Sequence, residues 1–182
     1  MSRPRELAGS ILLAVVAVAL SARVDVPLPG TPVPQSLQTL AVVVVGGLLG
    51  GHRGVLALAA YLFAGAVGLP VFAGGAAGMA VLAGPTAGYL FGFVVAAGMV
   101  GWMRDRGHLL RFVPTFAVMV AAHLAILSMG WARLSTDLGM GAAWDAGVAP
   151  FLVGGVIKSI LAATLIVLVP VRPRSPAQPS VP

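Results

Sequence analysis

The chain has 182 residues, of which 59% are hydrophobic and 9% charged, with a formal net charge of +6 and a mean hydropathy of +1.01. Soluble domains carry about 25% charged residues, so this composition excludes a soluble fold and defines an integral membrane protein. With no cysteine, disulfides and thiolate metal sites are excluded too, and the basic residues fall in short clusters between apolar spans, which reads as topology rather than as a nucleic-acid surface.

Residues 1 to 6 are short and basic, with Arg3 and Arg5, and Leu7–Ala22 forms the first apolar span. A basic start before an apolar run also fits a signal peptide. The span, however, carries Ser10, Ala14, Ala17 and Ser21 at helical spacing. That small face is built for helix contact and predicts a retained helix with a docking surface. The loop Arg23–Pro34 holds four prolines and a glycine and is therefore stiff and extended. A second span runs over Gln35–Leu49, with Gln38 one turn in. Gly50–Gly54 reads as a tight turn holding His52 and Arg53. The third span, Val55–Val67, contains Tyr61 and Phe63.

Gly68–Ala97 is the stretch around which the rest is organised. Pro70, Gly74, Gly75 and Gly78 break any regular helix, yet no residue from Gly68 to Met103 is charged. Irregular backbone this apolar suits membrane depth where it lines a protein cavity, so the stretch reads as a capping loop followed by a helix wall. Gly84, Gly88, Gly92 and Ala96 recur every fourth residue and predict close packing of that fourth helix. After a basic segment (Arg104, Arg106, Arg111) come a fifth span, Phe112–Trp131, and a more polar loop, Ala132–Ala149. A sixth span, Pro150–Val169, closes the series. The chain is thus expected to be one all-α membrane domain over 1–171 with six transmembrane helices and structured outer loops. Its Pro-rich tail, 172–182, is expected to be disordered.

Six spans place both termini on one side, and charge chooses the side. With the N-terminus inside, Arg3, Arg5, Arg53, Arg104, Arg106, Arg111, Arg172 and Arg174 are cytoplasmic, against Arg23 and Arg133 outside. That asymmetry satisfies the positive-inside rule. The Pro-rich loop, the Gly-rich loop and the loop before the sixth helix then converge outside, as capture of an external solute requires.

Lys158 is the only lysine and sits in an otherwise uncharged span, roughly 12 Å below its start. An ionisable group at that depth costs about 3 kcal/mol and marks a functional site. Gly154 and Gly155 clear space one turn before it. Gln38 and Tyr89 offer hydrogen bonds near the outer mouths of helices two and four. His123 has no carboxylate near it in sequence, which fits a hydrogen-bonded interior histidine better than a metal ligand or proton relay. There is no GxSxG, no P-loop, no carboxylate pair within a span and no nucleophile beside a base. No enzyme, no catalytic residue, no resident cofactor and no metal site is expected.

Three motifs carry a family resemblance: Thr31-Pro32-Val33-Pro34 with Leu37-Gln38-Thr39-Leu40, then GLPVFAGGAAG (Gly68–Gly78), then GPTAGYLFGF (Gly84–Phe93). They resemble the BioY family, the biotin-binding membrane subunits (S components) of energy-coupling-factor vitamin transporters. The resemblance covers all six spans in order. It implies a six-helix fold with an outward site for biotin, in which Gln38, Phe72, Gly74, Gly75, Tyr89 and Lys158 bind the substrate. It also implies two kinds of partner, a transmembrane coupling subunit and two cytoplasmic ATPases, and a bacterial inner membrane location. The Ser10, Ala14 and Ala17 face corresponds in kind to the family's docking surface.

Two departures stand out. The family's sixth helix usually reads Pro-Gly-Asp-x-x-Lys, whereas this one reads Val153-Gly154-Gly155-Val156-Ile157-Lys158. Gly155 therefore replaces an acidic contact. Gln35-Ser36 stands where the family usually has a β-branched residue and Thr. The Gln35 and Gln38 amides are the expected substitutes for lost acceptors. Capture of another vitamin or a biotin precursor is the alternative within this class, and a ligand-free scaffold the alternative outside it.

Overall fold

A computed structural model describes residues 4–169 apart from Pro27 and Pro29, and nothing of the Val26 side chain. The Pro-rich tail, the domain boundary at 171, and Arg3, Arg172 and Arg174 lie outside the described residues. The helices are α1 (Pro4–Ser21), α2 (Gln38–Leu49), α3 (Gly51–Ala66), α4 (Met79–Ala83), α5 (Ala87–Asp105), α6 (Phe112–Leu138), α7 (Met140–Gly147) and α8 (Leu152–Leu168). Between α1 and α2, β1 (Asp25–Val26) pairs antiparallel with β2 (Gln35–Ser36), Asp25 facing Ser36.

The six expected spans correspond to α1, α2, α3, α5, α6 and α8, though not all have the expected length. Among the described residues, four stretches are long and apolar enough to cross a bilayer alone: Pro4–Ser21, Ala87–Asp105, Phe112–Leu138 and Met140–Leu168. With 12 residues, α2 reaches only about 18 Å, short of the roughly 30 Å hydrocarbon core. Its N-terminal end is preceded by the β1–β2 loop. The outward surface is apolar in the manner of lipid-facing helices, with Leu13 71%, Val113 75% and Val153 72% exposed.

At the centre is α5, buried over 56% of its span against 11% for α1. Helices α2, α3 and α6 pack around it. Small residues make this possible. A Cβ at Gly92 would lie 3.0 Å from the Ile126 backbone, and one at Gly46 would lie 2.6 Å from the Ala97 carbonyl oxygen. The chain reverses between α2 and α3 at Gly50 alone, whose φ of 85° is disfavoured for residues with a side chain. Gly101 of α5 presses against Gly50 and Gly51 there. The Asp105 carboxylate accepts a hydrogen bond from the Gly51 N–H at 2.9 Å, satisfying a donor at the start of α3.

Four expectations are corrected. His52 and Arg53 belong to the first turn of α3, not to a turn over Gly50–Gly54. The segment Ala132–Ala149 is mainly helical, because α6 continues to Leu138 and α7 follows. Its polarity belongs to exposed faces of helix rather than to the end of a helix, and Arg133 pairs with Asp137 one turn on at 2.9 Å. Gly84 terminates α4 and stands outside α5, so the close-packing stripe is Gly88, Gly92 and Ala96. The Gly-rich loop is itself partly ordered, into a 3₁₀ turn at Ala73–Gly75 and the short α4.

Candidate functional site

At the end opposite Gly50, the loops and helix termini enclose a cavity of about 470 Å³. This volume lies within the range of about 300–1,000 Å³ usual for small-molecule sites. Its wall is apolar: Val33 from the α1–α2 loop, Phe72 from the Gly-rich loop, Phe93 from α5, Ile126 and Leu127 from α6, and Phe151 before α8. Polar groups are few, namely Ser36, Gln38, Thr39, Thr86, His123 and Lys158. Among the described lining residues Lys158 is the only one formally charged. It is half-buried, and its Nζ donates to the Ser36 carbonyl at 2.6 Å. An ammonium carries three N–H donors, so two remain for a ligand.

Two residues of the expected set are tied up internally at their polar ends. Gln38 is buried; its Nε2 donates to the Tyr61 hydroxyl at 2.6 Å and its Oε1 accepts from Ser36 Oγ at 3.0 Å. The Tyr89 hydroxyl donates to the Gly147 carbonyl at 2.8 Å, so Tyr89 turns its ring, rather than its hydroxyl, to the cavity. Gly130 lacks a side chain where that ring lies. Phe72 lines the cavity and fits against Gly65, crossing Tyr61 edge to face at 5.6 Å.

Gly74 and Gly75 do not line the cavity. With φ of 64° and 76° they turn the backbone so that Ala73 and Ala76 face inward, and they lie beside Asp25 and Arg23. Gln35 is likewise outside the cavity, its amide against Gly154. The expected substitutes for a missing acceptor are thus one residue already engaged and one residue elsewhere.

The Gly-rich loop is fastened at both ends by Arg23 and Arg133. Arg23 donates to the Pro70 carbonyl at 2.5 Å, and Arg133 donates to the Ala83 carbonyl at 2.8 Å. Tyr61 adds a hydrogen bond to the Val71 carbonyl at 3.0 Å. Tyr61 was not among the expected site residues. The one signal for it was a hydroxyl stranded in an apolar span.

A second concavity, of about 410 Å³, lies outside the bundle between α1 and α2. Ser10, Ala14, Ala17 and Ser21 line it with Leu40 and Leu48 of α2. Ala14 is buried in the protein's own packing, whereas Ala17 is exposed. The Ser10 hydroxyl is satisfied by the Leu7 carbonyl. Almost wholly apolar, this groove offers shape rather than hydrogen bonds.

A nearly all-helical bundle closed by loops over an apolar cavity with one ammonium group defines a membrane solute-binding protein. Comparison with known proteins makes this specific. The BioY family model matches residues 2–174, and the chain belongs to the BioY family. It is therefore a transport protein and not an enzyme. It is 35% identical over 169 residues to a biotin transporter from Rhizobium etli, covering 88% of this chain and 90% of that one. It is 34% identical over 154 residues to one from Lactococcus lactis, covering 82% and 83%. The fold matches a crystal structure of the S-component for biotin from an ECF-type ABC transporter. That match has a TM-score of 0.81 at 21% identity and covers 92% of this chain and 94% of that one.

Proposed function

We propose that the protein is the biotin-capturing membrane subunit of an energy-coupling-factor transporter. In this reading it lies in a bacterial inner membrane with both termini cytoplasmic. A separate transmembrane coupling subunit and two cytoplasmic ATPases drive it. The observation that carries the reading is the cavity, apolar for a bicyclic ring and short alkyl chain, with Lys158 as its single charge. Gln38, Phe72 and Tyr89 shape the site, while Gly74 and Gly75 form the turn that closes it. The chain's relatives among biotin transporters supply the ligand.

The test is binding of radiolabelled biotin to the purified protein. Saturable binding that unlabelled biotin displaces better than its biosynthetic precursors is expected. Displacement by a precursor at lower concentration would reassign the ligand, and no saturable binding would overturn capture altogether.

The orientation follows from where the arginines gather. Arg53, Arg104 and Arg106 cluster near the Gly50 end, and Arg23 and Arg133 at the cavity end. The chain has no native cysteine, so single cysteines at Arg106 and Asp137 are clean reporters. The first should react only from the cytoplasm and the second only from outside. Reaction of both from one face would sink the topology.

The partner surface is the α1–α2 groove. Because Ala17 is exposed, Ala17→Trp should block assembly with the coupling subunit, and hence uptake, by tenfold or more. Biotin binding by the isolated subunit should be unchanged. Loss of that binding would place Ala17 in the subunit's own packing instead.

A further inference from the structure

Among the described residues lining the cavity, one buried side-chain polar atom has no hydrogen-bond partner. His123 is 5% exposed and lines the cavity from α6. Its Nδ1 lies 2.9 Å from the Met119 carbonyl oxygen and 3.0 Å from Ser159 Oγ. A carbonyl can only accept, so Nδ1 carries the hydrogen. Ser159 agrees with this, because its own hydroxyl donates to the Gly155 carbonyl at 2.8 Å, leaving its lone pairs toward the imidazole. Two neighbours thus fix one tautomer, and the neutral ring presents a bare lone pair at Nε2. That atom is buried without a hydrogen-bond partner, an arrangement native proteins seldom leave unfilled.

Of the α8 residues beside His123, Ser159 meets Nδ1 and Gly155 carries no side chain. Gly155 also lines the cavity, and the nearest atom to a Cβ built there is His123 Cβ at 3.9 Å. No side chain from that position covers the imidazole. Lys158 follows one turn later on the same helix, adjacent in sequence to Ser159. This region therefore offers a hydrogen-bond donor and a hydrogen-bond acceptor together. Among the described lining residues no carboxylate competes for either.

We propose that His123 is a ligand-binding and specificity-determining residue, its Nε2 accepting a hydrogen bond from an N–H of the captured molecule. This inference rests on the capture reading above and deepens it. A carboxylate has no hydrogen to give Nε2, so the group seated here is a neutral N–H-bearing head such as a cyclic urea, not the acid end of the ligand.

The test pairs the residue with the ligand atom. Calorimetry on purified wild-type and His123→Leu protein would use biotin and its two isomers methylated on either urea nitrogen. His123→Leu should weaken biotin about tenfold, the effect of one buried hydrogen bond. For the isomer methylated on the nitrogen that faces His123, the substitution should cost less than about twofold, because the bond is already gone. Equal losses for biotin and both isomers, or no loss for biotin, would overturn the assignment. A second readout needs no variant: in ¹⁵N-histidine-labelled wild-type protein, the Nε2 resonance should shift when biotin is added. A resonance that stays put while biotin binds would also overturn it. Failure of the wild type to bind biotin at all would instead overturn the capture reading, and this inference with it.

Discussion

Where α2 turns into α3, the backbones of Gly50, Gly51 and Gly101 meet with no side chain between them, and Gly46 brings α2 equally close to Ala97 of α5. At the opposite end of the bundle, one glycine of α8 serves the opposite purpose. Gly155 faces a cavity, and the nearest atom to a side chain placed there would be 3.9 Å away. The Gly46 and Gly50 positions use the missing side chain to bring backbone against backbone, and Gly155 uses it to keep space open. A glycine count cannot tell these uses apart, yet they predict opposite responses to the same substitution.

The largest effect should come from the closed end. In Gly46→Ala the new methyl would meet the Ala97 carbonyl oxygen at 2.6 Å and its Cα at 3.0 Å, both of them backbone and slow to yield. Overpacking of this kind costs about 1–3 kcal/mol or more, so the melting temperature should fall by roughly 5–10 °C. A variant melting like the wild type would mean that this seam is loose.

Lys158→Met comes next and leaves the fold in place. The charged hydrogen bond it removes is worth about 1.5–3 kcal/mol in a desolvated site, so biotin affinity should drop tenfold or more. Undiminished affinity would make Lys158 a structural tie to Ser36 and nothing else. Smallest of all, Gly155→Ala should leave the melting temperature unchanged or raise it by about 2–4 °C, since alanine favours helix by about 1 kcal/mol. A fall of 5 °C would show the cavity end to be as tightly packed as the other.

Hydropathy and charge carried most of the fold. The spans, their order, the Gly-rich cap and the lone lysine of the last span were all legible because each is a local property of composition. Polarity misleads where it has two possible causes, as at Ala132–Ala149, where an exposed amphipathic helix and a loop have the same composition. It misleads again where a role depends on a distant partner. Gln38 was visible as a polar group at a helix mouth, but Tyr61, which takes its amide, is 23 residues away. His123 was legible as an interior histidine. That one of its nitrogens is satisfied and the other bare depends on Ser159, which only the packing of α6 against α8 brings within 3.0 Å.

The hydrogen bond from Lys158 to the Ser36 carbonyl has a consequence for how the site works in time. It holds the longest flexible side chain of the cavity in place before any ligand arrives, while leaving two of its N–H groups free. Gln38, Tyr61 and Tyr89 are likewise held by bonds that a ligand need not break. Such a site is preorganised: binding freezes few rotors that are not already frozen, so less of the contact energy is lost to ordering. Tight hold on a scarce solute is then expressed mainly as a long residence time, since affinity differences within one kind of site lie chiefly in the dissociation rate. In the reading proposed above, release rather than capture is then the step that the ATPases drive.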